Sequence, residues 1–150
     1  MADSYSSLTY HFVFSTKHRE RWISSDVEKR VWEFLGGILK KKQMTPLKIG
    51  GIEDHVHVLV TAPATLAPCE IAKQLKGASS LWIHKNFPEL AGFGWQDGYA
   101  VFSVSKSSIP EVTAYIQNQR EHHHKRTFAE EYEAFLQRHH ISYNSEYLLG

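Results

Sequence analysis

Along this chain the period of the apolar residues switches between the strand value and the helix value, in the order strand, helix, strand, strand, helix, strand, helix. Thr9 to Thr16 is rich in aromatic and branched residues and reads as a strand that ends at the polar stretch Lys17 to Arg21. Ser25-x-x-Glu28 has the form of a capping box, with Val27, Val31, Phe34, Leu35, Ile38 and Leu39 at helical spacing behind it and Lys40, Lys41 and Lys42 in the last turn. Two strands follow at 45–51 and 54–61. A helix is predicted from Pro68 to about Lys85, then a loop, then a strand from Tyr99 to Val104. Ser108-Ile109-Pro110-Glu111 opens a third helix that runs to about Lys125, and Thr127-x-x-Glu130 opens a short last one carrying Phe128, Tyr132, Phe135 and Leu136. The expected fold is α+β: a ferredoxin-like split βαβ sandwich with an antiparallel sheet and added C-terminal helices.

With 150 residues, 42% of them hydrophobic, the chain can bury one sizeable core. No apolar run approaches the roughly 18 residues of a membrane helix, and the N-terminus lacks the basic and apolar pattern of a secretory signal. The single cysteine, Cys69, excludes a disulfide framework and fits a reducing compartment, so a cytoplasmic protein without membrane attachment is expected. A formal charge of +1 lacks the excess of a nucleic-acid binder, but it is unevenly spread. Residues 1–50 hold nine Lys/Arg against five acids, whereas 51–110 hold four against five and 111–150 four against six. Lys17, Arg19 and Arg21, with Lys73 and Lys76 on the second helix, are the candidate phosphate contacts.

Alternation along a strand puts His55 and His57 on one face of Asp54-His55-Val56-His57-Val58-Leu59-Val60 and the valines on the other. Two imidazoles so placed can hold one divalent ion; two half-exposed strand residues are the bland alternative. On the third helix Tyr115 and Gln119 are four residues apart and share a face, and the Gln119 carbonyl is a hard neutral ligand suited to magnesium or manganese. A packed tyrosine and a solvated glutamine would satisfy the same pattern. His122-His123-His124 cannot converge on one ion from a regular helix, because successive residues diverge by about 100°. One of His122 or His123, on the Tyr115 side, is a candidate assistant. Glu53 and Asp54 flank the histidine pair as outer-shell or turn residues. Trp22, Trp95 and Tyr99 read as packing residues, with stacking on bases as the alternative, and Cys69 as a packing residue, with a reactive thiol near a helix start as the alternative.

Taken together, His55-Val56-His57, Trp95-x-x-Gly98-Tyr99, Phe102-Ser103-Val104-Ser105 and Tyr115-Ile116-x-x-Gln119-x-x-His122-His123 resemble the single-tyrosine HUH transposases of small bacterial insertion sequences, the TnpA type. The resemblance runs from Tyr10-His11-Phe12-Val13-Phe14-Ser15-Thr16-Lys17 through Thr127-Phe128-x-x-Glu131-Tyr132. The length and the absence of a repeat or low-complexity linker predict one domain over 1–150, with a core at about 9–126 and a short helical tail at 127–150.

The resemblance implies that His55, His57 and Gln119 hold one Mg²⁺ or Mn²⁺ and that the Tyr115 hydroxyl attacks single-stranded DNA. A 5′-phosphotyrosine and a free 3′-hydroxyl would result, and strand transfer would proceed without ATP. A free phenol is only about 0.1% ionised at neutral pH, which is why such chemistry needs a nearby cation. A homodimer with composite active sites and a DNA partner with hairpin ends are expected on the same ground. The rival readings are a repurposed HUH nuclease, a replication initiator, or a non-catalytic ferredoxin-like nucleic-acid-binding module.

Overall fold

A computed structural model describes residues 3–144, 146 and 148. Four strands, β1 (Leu8–Ser15), β2 (Thr45–Ile52), β3 (His55–Ala62) and β4 (Ala100–Ser103), form one sheet in the order β2-β3-β1-β4. Every neighbouring pair is antiparallel, so the expected sandwich of a split βαβ sheet and helices is present.

The helices divide between the two faces of the sheet. On one face α1 (Glu28–Lys41) and α2 (Pro68–Asn86) cover Phe12, Phe14, Val56, Val58 and Val60. This is the larger core, completed by Val31, Leu35, Leu39, Ile71, Leu75 and Ile83 from the helices. On the other face lie α3 (Ile109–Gln117), the single turn α4 (Gln119–His122) and α5 (Phe128–Arg138). There Phe128, Tyr132 and Leu136 pack on Val13, Ala100 and Phe102. Because both faces are covered, His55 and His57 are completely buried rather than half-exposed.

Three local features differ from the sequence expectation. Ser25 does not cap α1; the backbone carbonyl of Ser24 takes the N–H groups of Val27 and Glu28 instead. Ser108 likewise makes no side-chain cap, whereas Thr127 and Glu130 do form their capping box. The third helix is not continuous to Lys125: it ends at Gln117, Asn118 leaves helical geometry, and α4 restarts at Gln119. Asparagine is a weak helix former, because its short polar side chain competes with the helical backbone hydrogen bonds, and it permits the break.

Glycine explains how closely α3 approaches the sheet. Gly50 on β2 pairs with His57, and a Cβ there would lie 3.1 Å from both Cγ2 and the carbonyl oxygen of Ile116. The helix therefore rests on a strand backbone without an intervening side chain, which brings the adjacent Tyr115 over His57.

Candidate metal centre and nucleophile

Strand β3 presents His55 and His57 on the face covered by α3, α4 and α5, and each helix brings a polar side chain to the cluster: Tyr115, Gln119 and Glu131 respectively. Nδ1 of His55 lies 2.8 Å from Oδ1 of Asp54, and its Nε2 lies 2.6 Å from Oε1 of Gln119. Nδ1 of His57 lies 2.8 Å from Nε2 of His11 on β1. From α5, the buried Glu131 sets Oε1 at 3.2 Å from His57 Nε2, 3.5 Å from His55 Nε2 and 3.1 Å from His123 Nε2. Its Oε2 accepts from Nε2 of Gln119 at 3.0 Å and from the Tyr115 hydroxyl.

The electrostatics follow from this burial. Desolvation lowers His57, against the opposing pull of Glu131, and lowers His11 further with help from His57. Burial alone would raise the Glu131 carboxyl, but His57, His123 and His55 outweigh it and hold the group well below the ordinary carboxylate range. His123 is raised: burial opposes its charged form, and the hydrogen bond and charge of Glu131 prevail. The Tyr115 phenol is pushed above its ordinary value by burial first, then by the charge and hydrogen bond of Glu131. The neutral phenol is thus the stable form in this arrangement.

These donors suit a divalent cation. With a ring proton on Nδ1, donated to the Asp54 carboxylate, His55 would turn its Nε2 lone pair toward two further acceptors, Gln119 Oε1 and Glu131 Oε1. Acceptors that converge with no hydrogen between them are what a cation satisfies. The candidate ligand atoms of His55, His57 and Glu131 all lie within 4.8 Å of one another.

The structure therefore gathers Tyr115, His55, His57 and Gln119 within one chain, even though Asn118 interrupts the helix that was expected to join Tyr115 to Gln119. Glu131 has no role in the sequence reading, nor does His11. Its signal was legible: Glu131 falls three residues after Phe128 and four before Phe135, inside the apolar stripe of its helix.

The expected phosphate contacts fall into two groups that meet at Asp97, which both Lys17 and Lys76 reach. Lys17, Arg19 and Arg21 sit on the turn after β1, with Lys17 3.4 Å from Asp97 and Arg21 3.2 Å from Glu53. Lys73 and Lys76 lie on α2, which covers the opposite face of the sheet. Lys76 donates to the carbonyls of Asp97 and Gly98 at 3.1 and 3.0 Å. Trp95 is a core residue whose Nε1 donates to Ser79. Among the described residues no helix is long and apolar enough to cross a membrane.

A family profile described as "Transposase IS200 like" matches residues 4–119. The ISDra2 transposase TnpA of Deinococcus radiodurans is 26% identical over 119 residues, 76% of this chain and 85% of that protein. The transposase for insertion sequence element IS200 of Salmonella typhimurium is 28% identical over 117 residues, 75% of this chain and 76% of that protein. Among solved structures, a Deinococcus radiodurans R1 protein assigned as a transposase superposes with a TM-score of 0.66 at 27% identity, covering 79% of this chain and 95% of its own. The REP-associated tyrosine transposase bound to a REP hairpin shares the fold, with a TM-score of 0.59 at 12% identity over 82% of this chain and 74% of its own. The matched family segment stops at Gln119, so His123 and Glu131 lie beyond it.

Proposed function

The chain belongs to the IS200-like transposases, and from that premise we propose that it cleaves and rejoins single-stranded DNA through Tyr115, with His55, His57, Gln119 and Glu131 holding one Mg²⁺ or Mn²⁺. The observation that carries the proposal is the convergence of a phenol, two imidazoles, an amide carbonyl and a carboxylate in one buried cluster. Bound there, a divalent ion would polarise the scissile phosphate and offset the charge that develops on the phenol.

The chain's own residues do the rest. Glu131 fixes the Tyr115 hydroxyl in place, and burial together with the Glu131 charge keeps it protonated. In the cleavage step Tyr115 Oη bonds to phosphorus and the P–O3′ bond breaks. Glu131 Oε2 orients the hydroxyl; the phenolic proton is lost to solvent as the new bond forms, and the departing 3′ oxygen takes a proton from solvent to leave as a hydroxyl. The product is a 5′-phosphotyrosine that conserves the bond for a second 3′-hydroxyl to claim. His11 and Asp54 hold the two metal-binding imidazoles by their Nδ1 atoms, so that both Nε2 lone pairs face the centre.

A homodimer and a cytoplasmic DNA partner with hairpin ends remain part of this reading. The cluster is complete within one chain, which favours a first cleavage by the tyrosine of the same subunit.

The test is incubation with labelled single-stranded DNA from the flanks of the chain's own gene, with Mg²⁺ or Mn²⁺, followed by denaturing electrophoresis. A covalent protein–DNA adduct is expected from the natural sequence and none from Tyr115→Phe. Cleavage without an adduct would point to a hydrolytic nuclease, and binding without cleavage to a non-catalytic module; either overturns the proposal.

A further inference from the structure

Beside the candidate metal centre a cavity of about 490 Å³ opens between the turn after β1 and the segment joining α4 to α5. One wall carries His18, Arg19 and Arg21, the other His124, Lys125 and Arg126. These cations come from opposite ends of the chain and meet only in the fold; the last segment, taken by itself, is acidic.

Charge in the cleft is unbalanced. Two acids line it, against the cations Arg19, Arg21, Lys125 and Arg126: Asp54, whose Oδ1 lies 2.8 Å from His55 Nδ1, and Glu130, whose Oε1 accepts from the backbone N–H and hydroxyl of Thr127 at 2.9 and 3.0 Å. Arg21 is paired with Glu53. Among the described residues Arg19, Lys125 and Arg126 form no ion pair, and all three are exposed. His18 and Arg19 both hold left-handed backbone, with φ of 58° and 57°. Two such residues in succession are strained and persist only where the surroundings hold them. Here the Thr16 hydroxyl does so, donating to the carbonyl of Glu20 at 2.6 Å.

The cleft is also continuous with the proposed active centre. His123 and Asp54 line it, and the same two side chains touch Glu131 and His55. A strand with one phosphate at the metal centre would carry its neighbouring phosphates along this wall.

We propose that this cleft is the track for the sugar–phosphate backbone of single-stranded DNA next to the scissile bond, with Arg19, Lys125 and Arg126 contacting its phosphates. The inference rests on the single-stranded substrate of the preceding reading. It adds two residues outside the matched family segment, Lys125 and Arg126, and it sets apart Lys73 and Lys76, which lie over the other face of the sheet.

The experiment measures affinity by fluorescence anisotropy for a labelled single-stranded oligonucleotide across a salt series, without divalent ion and in a Tyr115→Phe background so that nothing is cleaved. The double variant Arg19→Gln/Arg126→Gln is expected to bind about tenfold more weakly at low salt, with the slope of log affinity against log salt shallower by about 1.4, the value for two lost single-strand phosphate contacts. Lys41→Gln/Lys42→Gln makes the same charge change at the C-terminal end of α1, outside the cleft, and is expected to alter neither quantity.

Equal losses from both pairs would reduce the effect to net charge and overturn the proposal. So would an unchanged slope in the cleft pair, or a loss confined to duplex DNA. If the natural sequence forms the Tyr115 adduct while the cleft pair binds normally, the cleft fails and the catalytic reading stands. If the natural sequence neither binds single-stranded DNA nor forms an adduct, both fail.

Discussion

The hydroxyl of Tyr115 donates a hydrogen bond to Oε2 of Glu131, joining α3 to α5 across the two buried histidines of β3. One carboxylate thereby touches both the candidate nucleophile and the candidate metal ligands.

This dual contact predicts how the ligands rank. Glu131 brings a full negative charge into the cluster, whereas Gln119 brings a neutral carbonyl, so the carboxylate should dominate binding of a divalent cation. Glu131→Gln preserves shape and removes the charge. It is expected to weaken Mn²⁺ binding, measured by isothermal titration, at least about tenfold, with a smaller loss for Gln119→Ala. Imidazole donors should also favour Mn²⁺ over Mg²⁺ in the unmodified protein. A larger loss from Gln119→Ala would show the amide to be the principal third ligand.

His11 acts one step further out. Its Nε2 sits 2.8 Å from Nδ1 of His57, and burial keeps it neutral. Removing it frees the His57 ring and its tautomer, so His11→Phe is expected to lower metal affinity about 10–100-fold. His11→Gln, which restores a polar partner, should recover part of the loss. Failure of the glutamine to do better than phenylalanine would mean that His11 serves packing alone.

The histidine pair and its strand were legible because alternation along β3 is unambiguous once Val56, Val58 and Val60 face the larger core. Their complete burial was not, since it depends on α3, α4 and α5 closing over the second face. The break at Asn118 was hidden because nothing around it carries a proline or glycine signal, and the spacing of Tyr115 to Gln119 suited an unbroken helix equally well. Glu131 sits among Glu130 and Glu133, and only its place on the apolar stripe distinguishes it. The pairing of the His18–Arg21 turn with Lys125 and Arg126 is a property of topology, invisible to any local pattern.

Close approach of α3 to the sheet at Gly50 makes that position a lever on the nucleophile. Gly50→Ala places a methyl 3.1 Å from two atoms of Ile116, which forces the helix bearing Tyr115 to give. The expected stability loss is about 1–3 kcal/mol, the range for overpacking. Adduct formation should fall more steeply, by tenfold or more, because a displacement of about 1 Å at a reacting group can cost about 100-fold. Gly37→Ala on α1, where an added methyl meets nothing, provides the comparison and should be neutral or stabilising by about 0.5–1 kcal/mol. Proportionate losses of stability and activity at Gly50 would argue against a positioning effect.

Finally, Glu53 ties the outer parts of the site together. Arg120 on α4 reaches Glu53 at 2.8 Å and Glu28 of α1 at 3.0 Å, while Arg21 reaches Glu53 from the turn after β1. Burial would raise the Glu53 carboxyl, but the hydrogen bonds from Arg120, its own backbone and Arg21 prevail and hold it at about 2. Its folded value is therefore below its ordinary value of 4.5. The stabilisation is present in full above that ordinary value and is lost as pH falls toward the folded one. Both arginines are well exposed, so solvent screening limits the pairs to about 1 kcal/mol together. Urea denaturation at neutral pH should find Glu53→Gln less stable by that amount, and the difference from the natural sequence should close between about pH 5 and pH 2. A gap that persists unchanged at pH 2 would show that the substitution acts through packing and not through charge.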